Sequence, residues 1–221
     1  MTPDRKVVWR SMGLAGGATL LVSPDCPKDI RSTLVAIALD PVRYAKKRQP
    51  IGEGCFGKVY KQRAAAYKIH REAGASDEIS GLSALRANVI IQRGLSRLAL
   101  HGANVFQDEP PRNKAQTTYE LTSPVYYGAV WSCVDMWPQM PGDVWAMSYE
   151  EGTPVASLEC QPPFAHIRDI LDASCRAIGA DPEDFVYDIE TNPWNMLFRS
   201  THPNTVQIVK LDTCARVPLR F

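Results

Sequence analysis

Glu190-Thr191-Asn192-Pro193-Trp194-Asn195-Met196-Leu197 is the stretch whose reading decides the fold. It is a polar turn, fixed by a proline, between a helical pattern and an apolar hairpin. Upstream, Phe164 to Ile178 carries Ile167, Ile170, Leu171, Ser174 and Ile178 on one face and stops at Gly179. Downstream, Met196 to Phe198 and Val206 to Leu211 flank His202-Pro203-Asn204, which predicts two paired strands. Val209-Lys210-Leu211-Asp212-Thr213-Cys214 follows as the exit of that hairpin. The turn thus offers a carboxylate, Glu190, and an amide, Asn195, and the hairpin exit offers a second carboxylate, Asp212.

Towards the N-terminus, Ile51-Gly52-Glu53-Gly54-Cys55-Phe56-Gly57-Lys58-Val59-Tyr60 fits the pattern G-x-G-x-x-G-x-V. A dinucleotide-binding turn uses the same glycines but opens a helix, whereas Lys58-Val59-Tyr60-Lys61 continues as strand. The expected structure is a strand–turn–strand flap whose backbone N–H groups close over phosphates, with glycines because side chains would block that approach. Ala66-Tyr67-Lys68-Ile69 then sets a lysine inside a strand. Ser76-Asp77 suits a helix start, with Ile79, Leu82, Leu85, Val89 and Ile90 following at helical spacing. Strand-like stretches return at Tyr119 to Leu121, Val125 to Cys133 and Val144 to Tyr149, the last running into a loop at Glu150-Glu151-Gly152.

In this order the stretches resemble the protein-kinase-like superfamily over about residues 49 to 214. Ala66-Tyr67-Lys68-Ile69 stands for V-A-I-K, the turn before Met196 for D-L-K-P-x-N, and Asp212-Thr213-Cys214 for D-F-G. The resemblance implies an α+β, two-lobed kinase-like fold with a truncated C-lobe. Residues 49–152 would be the N-lobe and hinge, 153–221 a minimal C-lobe, and 1–48 an N-terminal extension of unassigned role. It implies ATP and Mg²⁺ as cofactors. Ile51, Gly52, Gly54, Gly57 and Val59 would form the flap over the nucleotide. Lys68 would reach the α and β phosphates, held by Glu78. Met147 would be the gatekeeper, and backbone groups of Ser148 and Glu150 would pair with adenine. Asn195 and Asp212 would hold Mg²⁺, and Glu190 would be the catalytic carboxylate, with Asp188 bracing the loop. Asp188 and Ile189 replace the family's histidine and arginine, Glu190 its aspartate, and Thr213 and Cys214 its Phe and Gly.

Thr213 to Phe221 follow Asp212, so no activation segment is expected, and Ile189 holds the place of the arginine that reads its phosphorylation. The nearest resemblance is therefore to minimal kinases that bacterial pathogens inject as effectors or that phages make. The function expected is Ser/Thr protein phosphorylation without activation-loop control, acting on a protein substrate such as a host protein, by a chain either constitutively competent or completed by an activating partner. Two other readings stand beside it: a nucleotide-binding pseudokinase serving as an interaction module, and another ATP-using transferase such as a nucleotidylyl transferase.

The remaining composition is that of an ordinary soluble chain. Net charge is +1 over 221 residues, which gives no ground for a nucleic-acid or membrane partner. Six scattered cysteines without a Cys-x-x-Cys pair point to reduced thiols and a cytoplasmic setting, or the host cytosol for an injected protein. The apolar run Met12 to Val22 follows Arg5, Lys6 and Arg10 but is too short to span a bilayer. A strand or short helix is expected there. Ile30 to Leu39 predicts a helix with Ile30, Leu34, Ile37 and Ala38 on one face, ended by Pro41, and Lys46-Lys47-Arg48 a solvated loop.

Overall fold

The computed structural model describes residues 9–14, 17–54, 57–70, 81–108, 116–131, 144–159 and 161–216. The chain is α+β and divides into two units, one of residues 1–77 and 126–149, the other of 78–125 and 150–221. Residues 17–48 fall within the first unit, and 81–108 and 116–125 group with the C-terminal residues.

The first unit is a seven-stranded antiparallel sheet. Its strands are β1 (Arg10–Gly13), β2 (Thr19–Val22), β3 (Gly52–Gly54), β4 (Gly57–Gln62), β5 (Ala65–His70), β8 (Tyr126–Trp131) and β9 (Val144–Ser148), in the order β1-β2-β8-β9-β5-β4-β3. The run Met12 to Val22 is thus a hairpin, turned at Gly17 with φ 82°, and β2 extends the sheet by pairing with β8. Helix α1 (Lys28–Leu39) lays Ile30, Leu34 and Ile37 on one face of the sheet, against Leu20, Val22, Tyr67 and Ala146. Burying each such aliphatic side chain is worth about 1.5–3 kcal/mol. Pro41 does more than end α1. It is the first residue of α2 (Pro41–Lys46), which Asp40 caps by accepting from the Arg43 N–H at 2.8 Å. The basic run is partly helical, and the Arg48 guanidinium lies 3.9 Å over the Tyr44 ring.

The second unit packs α3 (Gly81–Ala99) and α4 (Phe164–Ala177) with a five-stranded sheet of order β10-β12-β13-β7-β6. Its strands are β6 (Val105–Gln107), β7 (Thr118–Thr122), β10 (Thr153–Pro154), β12 (Met196–His202) and β13 (Thr205–Lys210), and a separate pair joins β11 (Phe185–Val186) to β14 (Cys214–Ala215). β12 and β13 form the expected hairpin, but β13 also pairs in parallel with β7. Helix α4 buries Ile167, Ile170, Leu171 and Ser174 as its periodicity predicts, and Gly179 ends it at φ 79°. A core of Ile91, Leu95, Leu121, Ile167, Leu171, Ile189, Met196 and Ile208 joins both helices to the sheet. This core explains why α3 belongs to this unit. The helices meet closely: a Cβ on Gly94 would lie 2.2 Å from the Ser174 carbonyl oxygen.

Candidate functional site

In the first unit the glycine stretch is a hairpin. Gly52 pairs with Val59, Glu53 with Lys58 and Gly54 with Gly57, and the Lys58 ammonium lies 3.5 Å from the Glu53 carboxylate. The ladder continues through Val59↔Lys68 and Lys68↔Trp145, and through Lys61↔Ala66 and Ala66↔Met147. Residues opposite one another in a ladder share a face, and the side alternates along each strand. Gly52, Val59, Lys68, Trp145 and Met147 therefore share one face. Tyr60, Tyr67 and Ala146 share the other, which α1 covers. The Lys68 ammonium lies 5.1 Å from the centre of the Trp145 ring, and Met147 is buried. Ser148 ends β9 opposite Ala65, Ile51 donates its N–H to Val59 at 2.8 Å, and the chain enters the second unit at Glu150. Glu78 and Cys55 lie outside the described residues.

In the second unit Pro193–Asn195 forms one short 3₁₀ turn that delivers Asn195 to the start of β12. One step beyond the Met196↔Lys210 pair, the Leu211 N–H donates to the Asn195 carbonyl oxygen at 2.8 Å. That bond brings Asn195 and Asp212 to the same end of the hairpin, where both are half-exposed. Asn88 of α3 meets Asp212 there. Its Nδ2 donates to Asp212 Oδ1 at 3.2 Å and to the Thr213 carbonyl oxygen at 3.0 Å.

The turn preceding Asn195 is gripped by one edge of α4. Tyr187 donates its hydroxyl to Asp172 at 2.8 Å and lies 3.5 Å from the Cys175 sulfur. Burial pushes both the Tyr187 hydroxyl and the Cys175 thiol above their ordinary pKa values. One helical turn back from Asp172, the Arg168 guanidinium lies 3.1 Å from the Glu190 carboxylate. Ile189, between these two anchors, is buried. Asp188 has φ 49°; it accepts from the Thr191 hydroxyl and, through its carbonyl, from the Asn192 N–H at 3.2 Å. Asp188 thus shapes the turn, while Glu190 is exposed in an open depression of about 650 Å³ that Arg168, Asp188 and Arg216 also line. Glu150 pairs with Arg199 at 3.2 Å.

Asn88 and Arg168 were not found from the sequence. A signal for Asn88 existed: a polar residue next to Val89 on the helical stripe must find partners if it is buried. Arg168 lies on the outer face of an amphipathic helix, where an arginine carries no such signal.

The donors at the hairpin end are hard oxygens, one carboxylate and one amide. That set suits Mg²⁺, which takes one or two protein carboxylates and completes its shell with phosphate oxygens and water. No helix among the described residues is long and apolar enough to cross a membrane. No protein-family profile matches the chain, and no curated protein matches it.

Proposed function

We propose that the chain is an ATP- and Mg²⁺-dependent protein kinase of the Ser/Thr type, with a minimal kinase-like fold. The observation that carries this reading is the placement of Asn195 and Asp212 at one end of the β12–β13 hairpin, where the Leu211 N–H donates to the Asn195 carbonyl. The shared face of Gly52, Val59, Lys68 and Met147 supports it from the other unit. Bound ATP would supply the transferred phosphoryl group and Mg²⁺ part of the neutralising charge. Lys68 would neutralise phosphate charge, the glycine hairpin would supply N–H donors, Asn195 and Asp212 would hold the metal, and Glu190 would accept the proton of the acceptor hydroxyl. The substrate is a protein, such as a host protein for an injected effector, and the chain acts in the cytosol. A partner that completes or activates the site belongs to the same reading.

A pseudokinase is the second reading, and the ion pair between Glu190 and Arg168 favours it, because the pair occupies the carboxylate that would act as base. Intact-mass analysis of candidate substrates after incubation with ATP and Mg²⁺ tests the choice. A gain of one phosphate is expected, abolished by Lys68→Ala and by Asp212→Ala. A gain of one AMP would replace kinase by nucleotidylyl transferase. Nucleotide binding without any mass gain would leave the pseudokinase. Absence of a thermal shift with millimolar ATP and Mg²⁺, where saturation at 100 times the dissociation constant adds about 2.7 kcal/mol, would overturn both nucleotide-binding readings.

A further inference from the structure

Asn88 is 3% exposed on α3, and three oxygens surround its Nδ2: the Ala84 carbonyl at 2.8 Å, the Thr213 carbonyl at 3.0 Å and Asp212 Oδ1 at 3.2 Å. The bond to Ala84 lies within the helix. The other two cross to a segment far along the chain, and they hold the side chain of one residue and the backbone of the next. A side chain fixed at its own carboxylate and at the following carbonyl has little freedom left about its χ angles. All three neighbours are acceptors, so the amide must present its NH₂ here, and no other side chain of this size offers two N–H groups without a charge. Leucine would leave an oxygen of Asp212 and the Thr213 carbonyl without this donor. Aspartate would set a second carboxylate against the first.

We infer that Asn88 is a positioning residue for Asp212, orienting that carboxylate towards Mg²⁺ from helix α3. This rests on the reading of Asp212 as a metal ligand. Side chains that orient a ligating carboxylate govern metal affinity even though they never touch the metal, typically by about 10–100-fold. A residue that only satisfied the Thr213 carbonyl would influence stability and leave metal affinity alone.

The test uses the full chain with a non-hydrolysable ATP analogue, titrated with Mg²⁺ and followed calorimetrically, alongside nucleotide affinity in EDTA and the melting temperature of the free protein. Asn88→Ala should raise the apparent Mg²⁺ dissociation constant by about 10-fold or more and leave affinity in EDTA unchanged. The isosteric Asn88→Asp should raise it further, and Asn88→Gln, which keeps the donor, should recover part of the loss. In an Asp212→Ala background, Asn88→Ala should have no further effect on Mg²⁺. An unchanged Mg²⁺ constant in both Asn88→Ala and Asn88→Asp, or the same loss with and without Asp212, overturns the inference while the kinase reading stands. If Asn88→Ala does not fold, Asn88→Asp and Asn88→Gln carry the same comparison. A wild-type chain whose nucleotide binding ignores Mg²⁺ removes the role of Asp212 itself, and the inference with it.

Discussion

Gly52 and Gly57 sit in one hairpin for different reasons, and alanine at each separates fold from ligand binding. A Cβ on Gly57 would stand 2.3 Å from the Ile69 carbonyl oxygen and 2.9 Å from the His70 Cα, both backbone atoms of the paired strand β5. Ordinary contact begins near 3.4 Å, so β4 and β5 must part by about 1 Å where Gly57 meets His70. Overpacking of that kind costs about 1–3 kcal/mol, which at about 2–4 °C per kcal/mol lowers the melting temperature by several degrees. A Cβ on Gly52 would meet only the Val59 Cβ at 4.0 Å. Gly52→Ala should therefore leave stability within about 0.5 kcal/mol of wild type. Its methyl group points to the face that carries Val59 and Lys68, where the phosphates of ATP belong in the proposed function. It should weaken ATP binding about 10-fold, equivalent to about 1.4 kcal/mol. Differential scanning fluorimetry with and without ATP and Mg²⁺ reads both quantities. Gly57→Ala melting with wild type would refute the packing argument. Gly52→Ala with wild-type ATP affinity would remove the flap from the nucleotide site.

Glu190→Gln should lower phosphoryl transfer about 100-fold or more, Asp188→Asn less, and Glu190→Asp should keep part of the activity; steady-state kinetics giving the reverse order for the first two would move the base to Asp188. Gly94→Ala sets a methyl group 2.2 Å from the Ser174 oxygen and should lower the melting temperature despite the roughly 1 kcal/mol gain in helix propensity; an unchanged or raised value would show that α3 and α4 separate freely. Burial raises Tyr44 from 10.0 to about 12 and also raises Tyr67 and Tyr187, so the native state binds these protons more tightly than the unfolded chain. The Tyr44 contribution is complete below about pH 10 and is lost as pH rises through about 12, and those of Tyr67 and Tyr187 also begin to fall above about pH 10. A pH series of denaturation midpoints should fall in that window, and a flat series would contradict the burial of these rings.

The elements legible in the sequence were those written in local periodicity. The stripe of Ile167, Ile170, Leu171 and Ser174 and the stop at Gly179 define α4 without reference to the rest of the chain. The alternation around His202-Pro203-Asn204 gives β12 and β13 in the same way. Pairing between distant strands has no such local mark. Nothing in Thr118–Thr122 announces a parallel partner in β13, nor does Tyr126–Trp131 announce that it will separate β2 from β9. The helical stripe Leu85 and Val89 was visible, but the unit against which it packs depends on Leu121, Ile167 and Ile208, which no helix pattern specifies. Lys68 in the first unit and Asn195 and Asp212 in the second were named because they lie in recognisable stretches. Asn88 and Arg168 were not, because each acts through a partner remote in sequence.

Both sheets are completed late in synthesis. In the first, β8 and β9 occupy the middle, so β2 keeps an open edge until residue 131 has been made and β5 until residue 148, both after residues 78–125 of the other unit. In the second, β13 is the strand that joins β12 to β7, and it ends at Lys210. A ribosome delivering about 5–20 residues per second therefore leaves β7 unpaired on that side for several seconds. Open edges of this kind are templates for association with other chains. The rate of translation therefore sets how long these edges stay open.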